Sequence, residues 1–181
     1  MKVTETKLKG VYVVEPQVFG DARGWFMESW SKRKLQAAGI DVEFVQDNQS
    51  YSAEKGTLRG LHYQLNPMCQ AKLLRATRGT IFDVAVDIRK GSPTFGQWVG
   101  ALLTEDNHRQ LWVPPGLAHG FLVLSESADF LYKTTDYYSP EHERCIRWDD
   151  PQLAIAWPSV EAAIQLSAKD QAGRWLAEAD L

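Results

Sequence analysis

Cysteine is scarce in this sequence, and long apolar runs are absent from it. The two cysteines, Cys69 and Cys145, are far apart and form no C-x-x-C pair, so free thiols in a reducing cytoplasm are the simplest account. No run has the length of a membrane span, and residues 1–16 lack the apolar core of a signal peptide. We therefore expect a cytoplasmic protein without a membrane-spanning segment.

An excess of positive charge is also lacking, because 20 Lys and Arg stand against 23 Asp and Glu, giving a net charge of -3. This balance argues against a general nucleic-acid or anionic-membrane surface, although it leaves open a local basic pocket for one phosphorylated ligand. No Gly-rich dinucleotide fingerprint is present, so we expect no nucleotide cofactor. With no repeat, low-complexity tract or linker, residues 1–181 are expected to form a single domain.

The sequence does contain a succession of short segments rich in β-branched and aromatic residues, separated by Gly, Pro, Asn or Asp. Their regular spacing favours a mainly β, antiparallel sandwich or barrel of jelly-roll type. Short helices are expected only at the margins, from Ser31 to Gly39 and near the C-terminus, where Ser167 and Asp170 form a variant of the capping box. The predicted strands are VYVVEP, FVQDNQSYS, LRGLHYQ, KLLRATRGTIFDVAVDIRK, WVGALLT, RQLWVPPG, HGFLVLS and ADFLYKTTDYYS.

Several of these strands carry ionisable side chains that an apolar core does not need. In LRGLHYQ, strict alternation places Arg59 and His62 on opposite faces, so they share a cavity only if Gly60 marks a bulge. In FDVAVDI, residues 82–88, the apolar positions are predicted to face the core and the alternate ones solvent or a polar cavity. Each such residue alone also has an ordinary structural explanation. The further examples are Lys72, His119, Tyr132 and Tyr138.

The segment PPGLAHGF has the P-x-G-x-x-H form that brings a histidine to the mouth of a cupin-type jelly roll. Pro114, Gly116 and His119 match that form. Metal-binding cupins also need an H-x-H pair and a glutamate, and here the corresponding stretch is His62-Tyr63-Gln64, without a second histidine. Two isolated histidines with no neighbouring carboxylate make a poor transition-metal site, so we expect no metal and acid–base chemistry instead.

Taken together, the chain resembles the dTDP-4-dehydrorhamnose 3,5-epimerase family, cofactor-independent enzymes with a cupin fold. The resemblance covers nearly the whole length, in the same order. It is carried by VFGDARGWFMES, FVQDNQS, GTLRGLHYQ, AKLLRATRGTIFDVAVDIRKGSPTFGQWVG, WVPPGLAHGF, FLYKTTDYYSPEHER and LSAKD.

The resemblance implies a role for each catalytic residue. The substrate is a 4-keto sugar, whose hydrogens on carbons 3 and 5 are acidified by the adjacent carbonyl; epimerisation needs a base, an acid on the opposite face and a positive group near the enolate oxygen. His62 matches the base, Asp170 its supporting carboxylate, Tyr132 the acid and Lys72 the group that stabilises the enolate. Asp83 is a weaker candidate for a supporting role.

The resemblance also implies a dTDP-sugar substrate, with arginines as forked phosphate donors and Tyr138 stacking on thymine. It further implies a homodimer, for which the N-terminal strand VYVVEP is a plausible interface element. The expected substrate-binding residues are Arg23, Glu28, Gln46, Asn48, Arg59, Lys72, His119, Tyr138, Glu143 and Lys169.

Two other functions stay open at this point. A relative that inverts only one carbon would keep the same base, acid and lysine. A non-catalytic sugar-nucleotide-binding jelly roll would not need His62, Asp170, Tyr132 and Lys72 together, so their joint presence disfavours it. A metal-dependent cupin oxygenase is disfavoured by Gln64.

Overall fold

The computed structural model describes residues 1–181 and is built mainly from antiparallel strands. The strands are β1 (Lys2–Glu5), β2 (Tyr12–Glu15), β3 (Val18–Asp21), β4 (Gly24–Met27), β5 (Gln46–Ser52), β6 (Leu58–Gln64), β7 (Lys72–Arg78), β8 (Thr80–Asp87), β9 (Trp98–Thr104), β10 (Gln110–Val113), β11 (Leu117–Val123), β12 (Ala128–Thr134) and β13 (Glu143–Cys145). Six of them form a larger sheet in the order β1-β2-β10-β7-β12-β5, and five form a smaller sheet in the order β13-β6-β11-β8-β9. The strands β3 and β4 form a separate hairpin.

The two sheets pack face to face as a jelly roll, which confirms the predicted fold class. Every predicted segment contains a strand, but the long run from Lys72 to Lys90 is two strands, because the chain turns at Gly79 with φ +74°. The short strands β1, β3, β4 and β13 were not predicted. They lie at a sheet edge or in the hairpin, where little burial is required and the apolar pattern is weak.

The main core fills the space between the sheets, and additional chain covers both outer faces. Leu74, Leu111 and Phe130 of the larger sheet meet Ile81 and Phe121 of the smaller one in a cluster that excludes solvent. The outer face of the smaller sheet packs against the C-terminal segment, and that of the larger sheet against the first helix. Strands buried on both faces read as nearly continuous apolar runs, which is why alternation is weak in β11.

The strand containing FDVAVDI therefore has two buried faces rather than one. Val84 and Val86 point outward, into the cluster beneath the C-terminal segment, while Ala85 joins the core between the sheets. Asp83 and Asp87 are fully buried. The alternate face was expected to be wet or to line a polar cavity, and only its Asp83 end adjoins polar groups of the site described below.

The helices are short and peripheral, as predicted. Helix α1 spans Lys32–Ala37 and packs Leu35 on the larger sheet; Ser31 is its N-cap residue, but its side chain makes no capping hydrogen bond. Helix α2 spans Ala168–Gln171 and begins with both hydrogen bonds of the predicted capping box, and a 3₁₀ helix follows at Leu176–Glu178. No helix has the length and apolar character needed to cross a membrane.

Candidate active site

A bulge in β6 orients the first two polar residues of the site. Opposite His62 lies His119 of β11, but opposite Arg59 lies Phe121, so β6 has one more residue than β11 between these pairs. Gly60, at φ +124°, occupies this irregularity, and a Cβ there would lie 2.5 Å from the Cα of Gly120. Only glycine fits such a close approach of two strands. The bulge turns Arg59 and His62 towards the same cavity, so the condition stated from the sequence is met.

This cavity has a volume of about 300 Å³ and opens between the two sheets. The larger sheet contributes Lys72 and Tyr132, whereas the smaller sheet contributes His62 and His119. A ligand in the cavity would thus have one sheet on each side. The predicted site residues that line it are Arg59, His62, Lys72, His119, Tyr132, Tyr138, Glu143, Lys169 and Asp170.

His62 and Asp170 form what we call the accessible pair. The Nε2 of His62 lies 2.8 Å from Oδ1 of Asp170, and the His62 side chain remains 23% exposed. Asp170 also accepts hydrogen bonds from the backbone N–H of Gly60, at 3.0 Å, and from the hydroxyl of Ser167, at 2.6 Å. Burial raises the pKa of Asp170, but these hydrogen bonds outweigh it and lower the pKa to about 2. Asp170 is therefore a permanent anion beside the imidazole.

His119 and Asp83 form a second pair, the buried pair. The Nε2 of His119 lies 2.9 and 3.1 Å from the two carboxylate oxygens of Asp83, and the ring of His119 stacks on Phe130. Burial lowers the pKa of His119 and raises that of Asp83, and the attraction between the two groups opposes both shifts. No other side chain hydrogen-bonds to Asp83, so burial disfavours its charge more effectively than that of Asp170.

The larger sheet places an amine and a phenol in the same cavity. The Nζ of Lys72 lies 6.0 Å from the ring centroid of Tyr132. Part of Lys72 is exposed, but its ammonium group is buried, and this burial lowers its pKa to about 8. The nearby carboxylates of Glu143 and Asp83 raise the pKa and so oppose this shift. Burial likewise raises the pKa of Tyr132, which keeps the phenol protonated at neutral pH. The cavity thus contains both a cation and a proton donor.

At the cavity entrance, Glu143 of β13 connects three side chains. It accepts a hydrogen bond from the hydroxyl of Tyr138, at 2.6 Å, and one from the ammonium of Lys169. Its other oxygen lies 3.5 Å from Nδ1 of His62. Burial raises the pKa of Glu143, but Lys169, Tyr138 and His62 together lower it below its ordinary value. Tyr138 itself is half exposed, so one face of its ring is free at the entrance.

Four predicted substrate-binding residues do not line the cavity. Gln46 and Asn48 lie close to it on β5, where Asn48 is opposite Tyr132 and Gln46 accepts a hydrogen bond from the backbone of Tyr138. Arg23 and Glu28 lie elsewhere: Arg23 is at the tip of the β3–β4 hairpin and pairs with Asp21, and Glu28 pairs with Lys34.

Sequence reasoning missed several groups of the site. Ser50 lines the cavity with a buried hydroxyl that has no hydrogen-bond partner, and its spacing from Gln46 and Asn48 on the same face of β5 could have revealed it. The resemblance had named Asp170 as the carboxylate that supports His62, and the fold brings the two together. Asp83 was only a weaker candidate for a supporting role, and its pairing with His119 was not predicted. The other unpredicted residues of the lining are Tyr63, Gln64, Gln70, Phe121, Phe130 and Ser167.

The sequence profile of the dTDP-4-dehydrorhamnose 3,5-epimerase family matches residues 5–178. This chain belongs to that family. The dTDP-4-dehydrorhamnose 3,5-epimerase of Pseudomonas aeruginosa is 58% identical to this chain, in an alignment that covers 99% of this chain and 98% of the relative.

Solved structures of related enzymes share both the fold and the extent of this chain. One is the dTDP-6-deoxy-D-glucose-3,5-epimerase RmlC of Legionella pneumophila in complex with dTDP-4-keto-L-rhamnose, with a TM-score of 0.94, 53% identity, and coverage of 99% of this chain and 94% of the other. Another is ChmJ, a 3'-monoepimerase of Streptomyces bikiniensis in complex with dTDP-quinovose, with a TM-score of 0.89, 35% identity, and coverage of 95% and 86%. The chain is thus similar to family members described as acting on two positions or on one.

Proposed function

We propose that this protein is a dTDP-4-dehydrorhamnose 3,5-epimerase, an isomerase that converts dTDP-4-dehydro-6-deoxy-D-glucose to dTDP-4-dehydro-L-rhamnose. One arrangement carries the proposal: the accessible pair lies on one side of the cavity, and Tyr132 lies on the sheet opposite. Inversion at carbon requires proton removal from one face and proton return to the other. A base and an acid on facing sheets can do this without rotation of the sugar.

The chemistry follows from the charges in the cavity. His62 accepts the proton of carbon 3 or 5 and becomes an imidazolium, which the anionic Asp170 stabilises. The electron pair moves to the carbonyl oxygen of carbon 4, where the ammonium of Lys72 stabilises the enolate. Tyr132 then delivers its phenolic proton to the opposite face. His62 then releases its proton to solvent and Tyr132 takes one up from solvent, which restores both groups. Repeating the cycle at the second carbon gives the doubly inverted sugar.

The nucleotide part of the substrate fits the polar entrance. Arg59 is a forked donor suited to a diphosphate, and Lys169 adds a second positive charge. Neutralising two phosphates locally is compatible with the protein's net charge of -3. The half-exposed ring of Tyr138 is the candidate for stacking on thymine.

Deuterium incorporation tests the proposal directly. The protein is incubated with dTDP-4-dehydro-6-deoxy-D-glucose in D₂O, and carbons 3 and 5 are followed by NMR. Deuterium at both carbons, with conversion to the L-rhamno configuration, is the expected result. Absence of deuterium at both carbons would refute catalysis and leave a sugar-nucleotide-binding protein.

Inversion of a single carbon is the second candidate, because ChmJ shows that this fold is shared with a 3'-monoepimerase. The identity of 58% to a named 3,5-epimerase, against 35% to ChmJ, favours inversion of both carbons. Deuterium at only one carbon in the same experiment would select the monofunctional reaction.

We also propose that the protein is a homodimer whose interface includes the β3–β4 hairpin. Phe19 and Phe26 are directly opposite each other on this hairpin and are 55% and 69% exposed, and Trp25 is 58% exposed. Apolar exposure of this kind is typical of an interface. The strand VYVVEP, by contrast, lies between β1 and β10, where Val14 is buried within its own chain. In a dimer that buries the hairpin, Arg23 of one subunit would also be able to reach the cavity of the other subunit.

The dimer is tested by measuring the mass in solution at micromolar concentration. Twice the chain mass of 20.5 kDa is expected for the unmodified protein. Phe26→Asp should shift the mass towards the monomer, whereas Phe95→Asp, at an exposed phenylalanine outside the hairpin, should not. A monomeric unmodified protein would contradict the proposal.

We propose a cytoplasmic location on the separate ground that Cys69 and Cys145 are both free thiols.

A further inference from the structure

Cys145 lies beside His62 although the cavity lining does not include it. On β13, Cys145 is directly opposite His62 of β6, so the two side chains share a face of the smaller sheet. Asp170 approaches the same point from the first turn of α2. A nitrogen of His62, the Sγ of Cys145 and a carboxylate oxygen of Asp170 all lie within 4.8 Å of one another. Three residues far apart in sequence thus place a nitrogen, a sulfur and an oxygen close together.

These three donors have the chemistry of a site for a borderline-soft divalent cation. Zn²⁺ binds imidazole, thiolate and carboxylate at about 2.0–2.3 Å, which places tetrahedral ligands about 3.4–3.6 Å apart. Side-chain movements on the order of an ångström would bring the three donors from their present separations to these distances. A water molecule or an oxygen of a bound sugar can complete the tetrahedron.

Two neighbouring groups support such a site. When Nε2 of His62 binds the cation, the ring proton resides on Nδ1, and the Glu143 oxygen 3.5 Å away can accept it. This is the carboxylate–histidine arrangement commonly found behind metal-bound imidazoles. On Asp170, one oxygen is already held by the Ser167 hydroxyl at 2.6 Å, which leaves the other directed at His62. Both ligands are therefore oriented by a further partner.

We propose that His62, Cys145 and Asp170 form an inhibitory site for Zn²⁺ and similar soft divalent cations. Binding converts the Cys145 thiol to a metal-bound thiolate and releases one proton to solvent, while the proton on His62 moves from Nε2 to Nδ1. With the cation on Nε2 and the ring proton on Nδ1, the imidazole has no lone pair left to accept the substrate proton. The inhibition, though not the binding, rests on the proposed epimerase function.

Cobalt titration tests the binding without any turnover. Co²⁺ added to the protein should produce a thiolate-to-cobalt charge-transfer band in the near ultraviolet. Cys145→Ser should abolish this band. Cys69→Ser is the matched control and should retain the band, because the Cys69 thiol donates a hydrogen bond to the carbonyl of Gln64 and is not one of the three donors. A band that survives Cys145→Ser, or no band in the unmodified protein, would overturn the site.

Zinc inhibition tests the consequence. Zn²⁺ should inhibit epimerisation by the unmodified protein, and a chelator should restore it. In Cys145→Ser and Cys145→Ala, basal turnover should stay near that of the unmodified protein, and half-inhibition should need at least about ten-fold more Zn²⁺. Equal zinc sensitivity in these variants and in Cys69→Ser would refute the proposal. A cobalt band without any epimerase activity would instead refute the proposed function and leave the metal site intact.

Discussion

The accessible pair and the buried pair have the same chemical composition but opposite electrostatic character. Asp170 is held ionised by His62, Ser167 and the Gly60 backbone, so a proton taken up by His62 is stabilised at once. Asp83 has only His119 as a hydrogen-bond partner, and both are removed from water. If His119 took up a proton beside an ionised Asp83, both charges would be poorly solvated. On this difference rests our proposal that the accessible pair, and not the buried pair, supplies the base: its carboxylate has more hydrogen bonds and its imidazole is accessible to solvent.

Removing the imidazole of each pair should give the largest effect. His62→Ala should reduce both turnover and deuterium exchange by about 10²- to 10⁴-fold, because no enolate forms without the base. The matched variant His119→Ala should weaken substrate binding but retain measurable exchange. Both are followed by NMR in D₂O. Strong exchange in His62→Ala would contradict the assignment and make His119 the first candidate for the base.

Replacing the acid opposite the accessible pair should separate exchange from inversion. Tyr132→Phe should reduce inversion by about 10²-fold, since no proton returns to the far face. Exchange with retention should continue, because His62 is 23% exposed and can trade its proton with solvent. NMR reports deuterium content and configuration in one sample. Normal inversion in this variant would mean that another group is the acid.

Neutralising the two carboxylates should produce smaller and unequal effects. Asp170→Asn should reduce exchange by about 10- to 100-fold, the range typical of groups that orient a reactive partner. Asp83→Asn should reduce exchange by less than about ten-fold, because an amide oxygen can still accept from His119 where a charge is disfavoured. Exchange rates measured under identical conditions test the order. A larger loss in Asp83→Asn would reverse the roles of the two pairs.

The smallest expected effect concerns Lys72, which faces both pairs. Because burial lowers its pKa to about 8, its charge is present below that pH and is lost above it. We expect kcat/KM to fall about five-fold between pH 8 and pH 9 as enolate stabilisation disappears, because the protonated fraction of a group with this pKa falls by that factor. In Lys72→Arg this fall should move to higher pH, because the guanidinium stays charged. A kcat/KM independent of pH up to 9 in the unmodified protein would exclude Lys72 from the step.

Local features of the protein were determined by the sequence itself. The bounds of β6 and β9 and the capping box of Ser167 and Asp170 followed from sequence patterns over a few residues, and the glycine at position 60 marked a place where a bulge was possible. Alternation, capping and glycine geometry act over a few residues, so they can be recognised without the fold. The resemblance to the family then supplied the roles proposed for residues such as His62 and Tyr132.

Only the tertiary structure decided which of these residues meet. Sheet order places β13 beside β6, and this pairing brings Cys145 to His62 and Glu143 to the cavity entrance. The fold also places Arg23 and Glu28 away from the cavity of their own chain. The two faces of β8 could not be distinguished in advance, because chain from the C-terminus covers the outer one. Contacts of this kind depend on how distant segments pack, and no local period in the sequence encodes them.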